Sequence, residues 1–418
     1  MIIGPNRVAI TGLGIVSCLG LDKEQVRDSL AAGRSGIELL PERKNLGFQS
    51  GLSGVIKDFD PGAFLDRKKR KSLPEFGIWA WAAIEQALDQ ADMPREELRG
   101  NPETGMIFGN DSSAVTAVEQ VEILRETGET KSIGSGHIFR LLNSTITLNI
   151  STLLGLHGQV WTVSGACASG AMAIGQGAEL IASGRQKRMI CGGAQEISWQ
   201  SMCSFDTLAA FSRREDNPAA ASRPFDRDRD GLVPSGGAAA VILESYQEAK
   251  ARGANILGEV LGYGNTSDGH HIVVPSGEGL ERAMRQAITD AALSPADIDL
   301  VLAHATSTPA GDEAEGLALA NIFNSSPNHA GPIITATKAL TGHEFWMAGA
   351  SQVVYGMLMT GSGFVTGNLN LKSPDHSVKN LHLPTQNVYN NCHFLLCNAA
   401  GFGGTNACLV IKNNQQIS

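Results

Sequence analysis

The chain has 418 residues, 42% of them hydrophobic and 18% charged, with a formal net charge of −9. This length and apolar content predict two or three domain-sized units around a large buried core and exclude a disordered chain. The acidic balance excludes wholesale nucleic-acid binding, and no apolar run is long enough to cross a membrane as a helix.

In chain order, the first apolar run, Arg7–Ile15, predicts a buried strand. The glycines of Thr11-Gly12-Leu13-Gly14, and the lack of a basic leader or an Ala-x-Ala site, argue against reading this stretch as a signal peptide. Glu75–Ala91 predicts a helix; Thr104–Phe108, Val160–Val163, Met189–Cys191 and Ala238–Leu243 predict strands. A second helix is expected over Gly279–Ala292, and further strands over Leu300–Ala303, Ile333–Ala336 and Cys408–Ile411. Such alternation predicts an α/β fold with at least partly parallel sheets. The chain also echoes itself. Gly236–Leu243 and Gly403–Ile411 are both glycine pairs running into an apolar strand, and Cys167 and His343 each precede a stretch rich in Ala, Gly and Ser. Two copies of one ancestral unit would explain both echoes.

Seven cysteines are present, an odd number with no Cys-x-x-Cys pair. Neither a disulfide framework nor a zinc ribbon is expected, and a reducing cytoplasm fits. Most should be small buried hydrophobes. Cys167 differs in its context. Trp161–Val163 are β-formers, Gly165 allows a turn, and Ala168–Ala182 is almost wholly small or apolar, with Gly184 as a helix stop. A cysteine at such a strand–turn–helix junction meets a helix N-terminus, which favours thiolate and supplies free N–H groups for an oxyanion.

Two of the ten histidines stand in unusual settings. His304 ends the apolar run Val301-Leu302-Ala303, at a strand end where α/β sites gather. His343 closes Thr337-Lys338-Ala339-Leu340-Thr341-Gly342-His343 ahead of an apolar helix, whose N-terminus should keep the imidazole neutral. Lys338 sits in apolar sequence and needs acidic partners, for which Asp312 and Glu315 are candidates. No His-Glu-x-x-His or similar ligand pair occurs, so no metal site is expected.

Gly165–Gly170 around Cys167, Ala303–Asp312 around His304, Thr337–His343, Gly401–Asn406 and Arg223–Gly231 occur in an order that resembles the elongating β-ketoacyl-acyl-carrier-protein synthases. The resemblance runs from Val8 to Ile411. It implies a thiolase fold, with duplicated halves (1–255 and 256–418) forming a five-layered α-β-α-β-α core, and an obligate dimer. It further implies Cys-His-His chemistry. Cys167 would carry an acyl chain as a thioester. His304 and His343 would assist decarboxylation of a malonyl unit and stabilise its enolate. Backbone N–H groups of Cys167 and Phe402 would form the oxyanion hole, and Lys338 would organise the charge network. Thr306 and Thr308 would touch a phosphopantetheine arm, and Phe402 would act as a gate. No cofactor is implied beyond that arm, which belongs to the acyl carrier protein. The acidic carrier would dock on Arg67-Lys68-Lys69-Arg70-Lys71, the one dense basic run, and on Arg214.

The chain departs from the family pattern in four places. Gln352 stands where a glutamate of the charge network is usual, Ala400 where a phenylalanine is usual, and Ser112 near an apolar pocket position. Glu344-Phe345-Trp346-Met347 replaces smaller residues after the histidine. These changes predict a roomier or more polar pocket. That suits a type II polyketide or aryl-polyene ketosynthase paired with a chain-length-factor homologue, against a homodimeric fatty-acid enzyme as the alternative. His343 argues against a Cys-His-Asn priming enzyme. Cys408 lies beyond the C-terminal glycine-rich loop, which argues against a thiolase, and Cys167 argues against a non-catalytic partner subunit.

Overall fold

The computed structural model describes residues 6–323 and 331–415. The outermost residues of both expected halves, 1–5 and 416–418, lie outside the described residues, as does 324–330. Each strand expected from an apolar run is present. In chain order the strands are β1 (Val8–Val16), β2 (Ile37–Leu39), β3 (Leu52–Gly54), β4 (Thr104–Gly109), β5 (Val160–Val163), β6 (Arg188–Gln195), β7 (Gly237–Ser245), β8 (Gly258–Ser267), β9 (Leu300–Leu302), β10 (Ile333–Thr335), β11 (Phe394–Gly401) and β12 (Thr405–Asn413). The two helices expected from periodicity run over Glu75–Gln90 and Glu278–Asp290.

Apart from the β2–β3 hairpin, the strands join in the order β10-β9-β11-β12-β8-β1-β7-β6-β4-β5. Outward from the β1–β8 seam, the two wings repeat one plan. β7 lies antiparallel between β1 and β6, and β6, β4 and β5 run parallel. In the other wing β12 lies antiparallel between β8 and β11, and β11, β9 and β10 run parallel. β7 and β12 are the two strands that follow the repeated glycine pairs. Among the described residues the strand pairing that joins the wings is three pairs long, Val8–Ile10 of β1 against Gly258–Val260 of β8.

Helices cover both faces of each wing, so the strands are apolar on both sides. In β7, Ala239, Val241 and Leu243 face the central core while Ala238, Ala240 and Ile242 face an outer one. In β12, Ala407, Leu409 and Ile411 face the centre and Cys408 and Val410 face the opposite outer core. The period of two thus partitions the interior into one central core, which contains the middle helices, and two outer cores. The central layer holds the helices Ser169–Ala182 and Ala348–Gly361. They touch backbone to backbone: a Cβ on Gly170 would lie 2.8 Å from Ala350 N, and one on Gly349 2.5 Å from Ala171 N. Cys167 and His343 precede these two helices, so the crossing brings them together.

Candidate active site

Cys167 lies two residues before its helix, on a turn in which Ala166 takes φ +48°. A residue with a side chain pays strain for that conformation, and local hydrogen bonds hold it. Ala166 N donates to Asp111 Oδ2 at 3.1 Å, Gly165 N donates to Ser169 Oγ at 2.8 Å, and Ser169 Oγ donates to Ala166 O at 2.6 Å. The thiol that results is 6% exposed. Burial pushes the Cys167 thiol up to about 12, although Lys338 pulls the other way. Desolvation thus opposes the thiolate that a helix end favours.

A candidate base is in contact. His343 Nε2 lies 3.1 Å from Cys167 Sγ. The His343 backbone is clamped on both sides, its N–H donating to Val233 O at 2.7 Å and its carbonyl accepting from Ser235 N at 2.9 Å. The His304 ring stands edge-on to it, with centroids 5.2 Å apart. Burial first, then the Lys338 charge, holds both imidazoles well below their ordinary range. The helix after His343 begins only at Ala348, so desolvation rather than a helix dipole keeps this ring neutral.

Asp312 and Glu315 are both buried, but neither hydrogen-bonds Lys338. Glu315 accepts from His304 N at 2.9 Å, Ala305 N at 2.6 Å and Asn398 Nδ2 at 3.0 Å. Asp312 accepts from Phe225 N and Ser307 N, with Arg229 Nε 3.8 Å away. These carboxylates fold the loop that carries His304. Burial raises both, Asp312 to about 7. Among the described residues Lys338 Nζ has no hydrogen-bond partner, and burial lowers its pKa despite the surrounding carboxylates.

Gln352, expected in the charge network, divides its amide: among the described residues Oε1 has no hydrogen-bond partner, and Nε2 is engaged. Its amide donates to Ala303 O at 2.6 Å and Leu302 O at 3.3 Å, at the strand end that leads into His304. A carboxylate has no proton to donate there. The unanticipated charge is Glu344, 1% exposed, which accepts from Tyr355 at 2.6 Å and from Ser351 and adds negative potential at Lys338. Burial raises it to about 7.

A cavity of about 350 Å³ opens onto Cys167, His304 and His343. Thr306 and Thr308 line it with their hydroxyls 3.0 Å apart, and Ala400 and Phe402 line it from the other wall. Gly401 presses on the nucleophile turn, where a Cβ would lie 3.0 Å from Cys167 N. This close approach sets the Phe402 loop beside the Cys167 N–H. Two family profiles fit the chain: "Beta-ketoacyl synthase, N-terminal domain" over residues 5–249 and "Beta-ketoacyl synthase, C-terminal domain" over 257–372. The chain belongs to the β-ketoacyl synthase family.

Among its relatives is the 3-oxoacyl-[acyl-carrier-protein] synthase 1 of Haemophilus influenzae, 36% identical over 97% of this chain and 99% of that one. A β-ketoacyl synthase from Burkholderia phymatum superposes with a TM-score of 0.91 at 33% identity, covering 98% of this chain and all of that one. The ishigamide ketosynthase/chain length factor superposes at 0.90 with 28% identity, covering 98% and 99%. The fold is therefore the thiolase fold of the condensing enzymes.

The remaining expected residues of this β-ketoacyl synthase lie around the site or apart from it. Ser112 is not part of the cavity wall and meets the Trp346 indole instead. Arg214 pairs with Asp230, which lines the cavity. Arg67–Arg70 form one short helical turn capped by Asp66, and Arg67, Lys68, Arg70 and Lys71 surround a separate surface hollow. Sequence reasoning did not single out Asn398, Phe205 or Phe345 as site residues. Asn398 was visible only as part of a motif. Phe205 stacks on Phe402 and packs at 4.8 Å against Phe345, contacts between segments far apart in sequence.

Proposed function

We propose that this chain joins an acyl group and a malonyl unit by decarboxylative condensation, both delivered on the phosphopantetheine arm of acyl carrier protein. The observation that carries this is the neutral imidazole of His343 at 3.1 Å from the Cys167 thiol, with His304 beside it at the floor of one cavity. Cys167 sulfur attacks the incoming thioester carbonyl. His343 takes the thiol proton and passes it to the departing carrier thiol. Lys338 lowers the cost of the transient thiolate.

Malonyl carrier then enters past Thr306 and Thr308. The bond between its C2 and its free carboxylate breaks, carbon dioxide leaves, and the electron pair moves onto the thioester as an enolate. His304 and His343, each neutral, donate one N–H to that oxygen. C2 attacks the Cys167 thioester carbonyl, whose oxyanion is held by the N–H groups of Cys167 and Phe402. The Cys167 thiolate departs and takes up the one proton that the condensation consumes, which water supplies, leaving a β-ketoacyl carrier. Phe402 swings as the gate between the two half-reactions. The two wings of the fold support a division into halves 1–255 and 256–418, with Cys167 from the first and His304, Lys338 and His343 from the second.

Intact-mass analysis after incubation with acyl carrier protein tests the reading. An acyl adduct on Cys167, absent from Cys167→Ala, is expected; a chain that stays unmodified by any acyl carrier would sink it. His304→Ala should still acylate yet fail to condense.

The Ala400 departure and the likeness to a ketosynthase/chain length factor structure support a specialised polyketide or polyene role beside a cysteine-less homologue. The higher identity to a 3-oxoacyl-[acyl-carrier-protein] synthase favours a homodimeric fatty-acid enzyme as the second reading. Both readings place the enzyme in the cytoplasm, where its seven free thiols stay reduced. Purification at native expression level separates them. A cysteine-less homologue should co-purify, and a stable homodimer elongating saturated chains would decide for the second reading.

A further inference from the structure

The cavity that opens on Cys167 accounts for one side of the thiol. Phe205 and Phe345 line that cavity, and together with Phe211 and Trp346, which do not, they share one apolar cluster with Cys167. On our reading an acyl chain bound to the sulfur passes Phe345 toward Trp346, the next ring in line.

Trp346 is the largest of these, 8% exposed. Its indole N–H donates to Ser112 Oγ at 3.4 Å, which supplies the partner a buried indole needs. Ser112 follows the end of β4, so the indole spans from the segment after His343 to the far strand end. The two residues match in size. A larger apolar residue at 112 would collide with the ring and leave its N–H unpaired.

The wall has no room to retreat. The Trp346 backbone is wedged between two glycines: a Cβ on Gly193 would lie 2.7 Å from Trp346 O, and one on Gly170 would lie 3.0 Å from it. Phe345, the residue before, takes φ +42°, a genuine outlier for a bulky side chain. The strain aims its ring at His343, 4.7 Å away, with Trp346 5.7 Å beyond. Backbone strain that persists beside a reacting group is over-determined by its surroundings. Here it fixes the order of the rings as His343, Phe345, Trp346.

We propose that Trp346, seated on Ser112, is the residue that limits the length of the acyl chain accepted on Cys167, so that short acyl groups load in preference to long ones. The proposal rests on the condensing reading above and adds to it the class of acyl group. It also revises the expectation of a roomier pocket. The space given up at Ser112 is filled by Trp346, and the space given up at Ala400 lies in the entrance cavity.

The test is Cys167 acylation, followed by intact mass, with butyryl and dodecanoyl carrier proteins compared on the intact chain. In the wild type the butyryl rate should exceed the dodecanoyl rate by about 10- to 100-fold, the discrimination a filled apolar pocket achieves. Trp346→Ala should reduce that ratio about tenfold or more. A wild type that loads both chains at equal rates, or an alanine variant with an unchanged ratio, overturns the proposal while leaving the condensing reading intact. A wild type that takes neither chain fails the condensing reading, and the proposal falls with it. If Trp346→Ala does not fold, Trp346→Phe and Trp346→Leu carry the same test. A ratio moved in the same direction supports the wall, and an unmoved ratio in a folded variant overturns it.

Discussion

Glu315 holds three donors at once, the N–H groups of His304 and Ala305 and the side-chain amide of Asn398. An ionised carboxylate can accept all three; a glutamine keeps one acceptor oxygen and turns an NH₂ toward groups that are themselves donors. Glu315→Gln should therefore cost about 1–3 kcal/mol, the penalty for a buried donor left unpaired, read by urea denaturation. Its second effect is functional. His304 loses its backbone anchor, so condensation should fall by about tenfold or more while Cys167 acylation changes far less. The pH dependence has a definite sign. Burial raises Glu315 above its unfolded value despite the three donors. Its stabilising contribution is complete below the ordinary carboxylate range and is lost as the pH rises through the raised folded value. The stability gap between wild type and Glu315→Gln should narrow as the pH rises from the acid side. A gap that widens would show that the donors, not burial, govern this group.

The elements that carry the site were legible in the sequence to unequal degrees. β1, β4, β7 and β9 announced themselves as apolar runs because helices cover both their faces. β8 and β11 did not. β8 contains Gly258, Gly262 and Gly264, and a Cβ on either of the last two would lie about 2 Å from the Ala287 or Ala283 carbonyl of the overlying helix. The first half repeats the device: Gly12 and Gly14 lie under the Ala87 and Ala83 carbonyls. The high glycine count is therefore partly a packing requirement, which removes the β-branched residues that strand reading depends on. Cys167, His304, Lys338 and His343 were legible because each sits in a local motif. Whether they would meet was not, since that follows from the Gly170–Gly349 helix crossing. The role of Gln352 and the pairing of Trp346 with Ser112 were hidden for the same reason. Each is a contact between segments tens to hundreds of residues apart, chosen by shape rather than by local pattern. Cys167 shows the converse: its strand–turn–helix motif is local, but the burial that opposes the thiolate comes from the whole fold.

At the scale of the whole molecule the relevant contrast is between a net charge of −9 and one concentrated basic turn. Lys69 is paired with Asp66 at 3.6 Å, whereas Arg67, Lys68, Arg70 and Lys71 converge on a surface hollow. On the proposed reading, an acidic carrier would be repelled over most of a negative surface and attracted at this turn. Such a field steers association more than it strengthens the bound complex. Reversing two of these charges, Lys68→Glu with Lys71→Glu, should lower kcat/KM for carrier-borne substrate about 10- to 100-fold at low salt. The defect should shrink toward half-molar salt, where screening reaches a length of only a few ångströms. Because the hollow is separate from the reaction cavity, the loss should be much smaller for the same acyl group on a free pantetheine thiol, which needs no protein dock. Equal losses on both substrates would move the role of this turn from docking to the catalytic fold. A loss insensitive to salt would mean that the contact is made by shape rather than by charge.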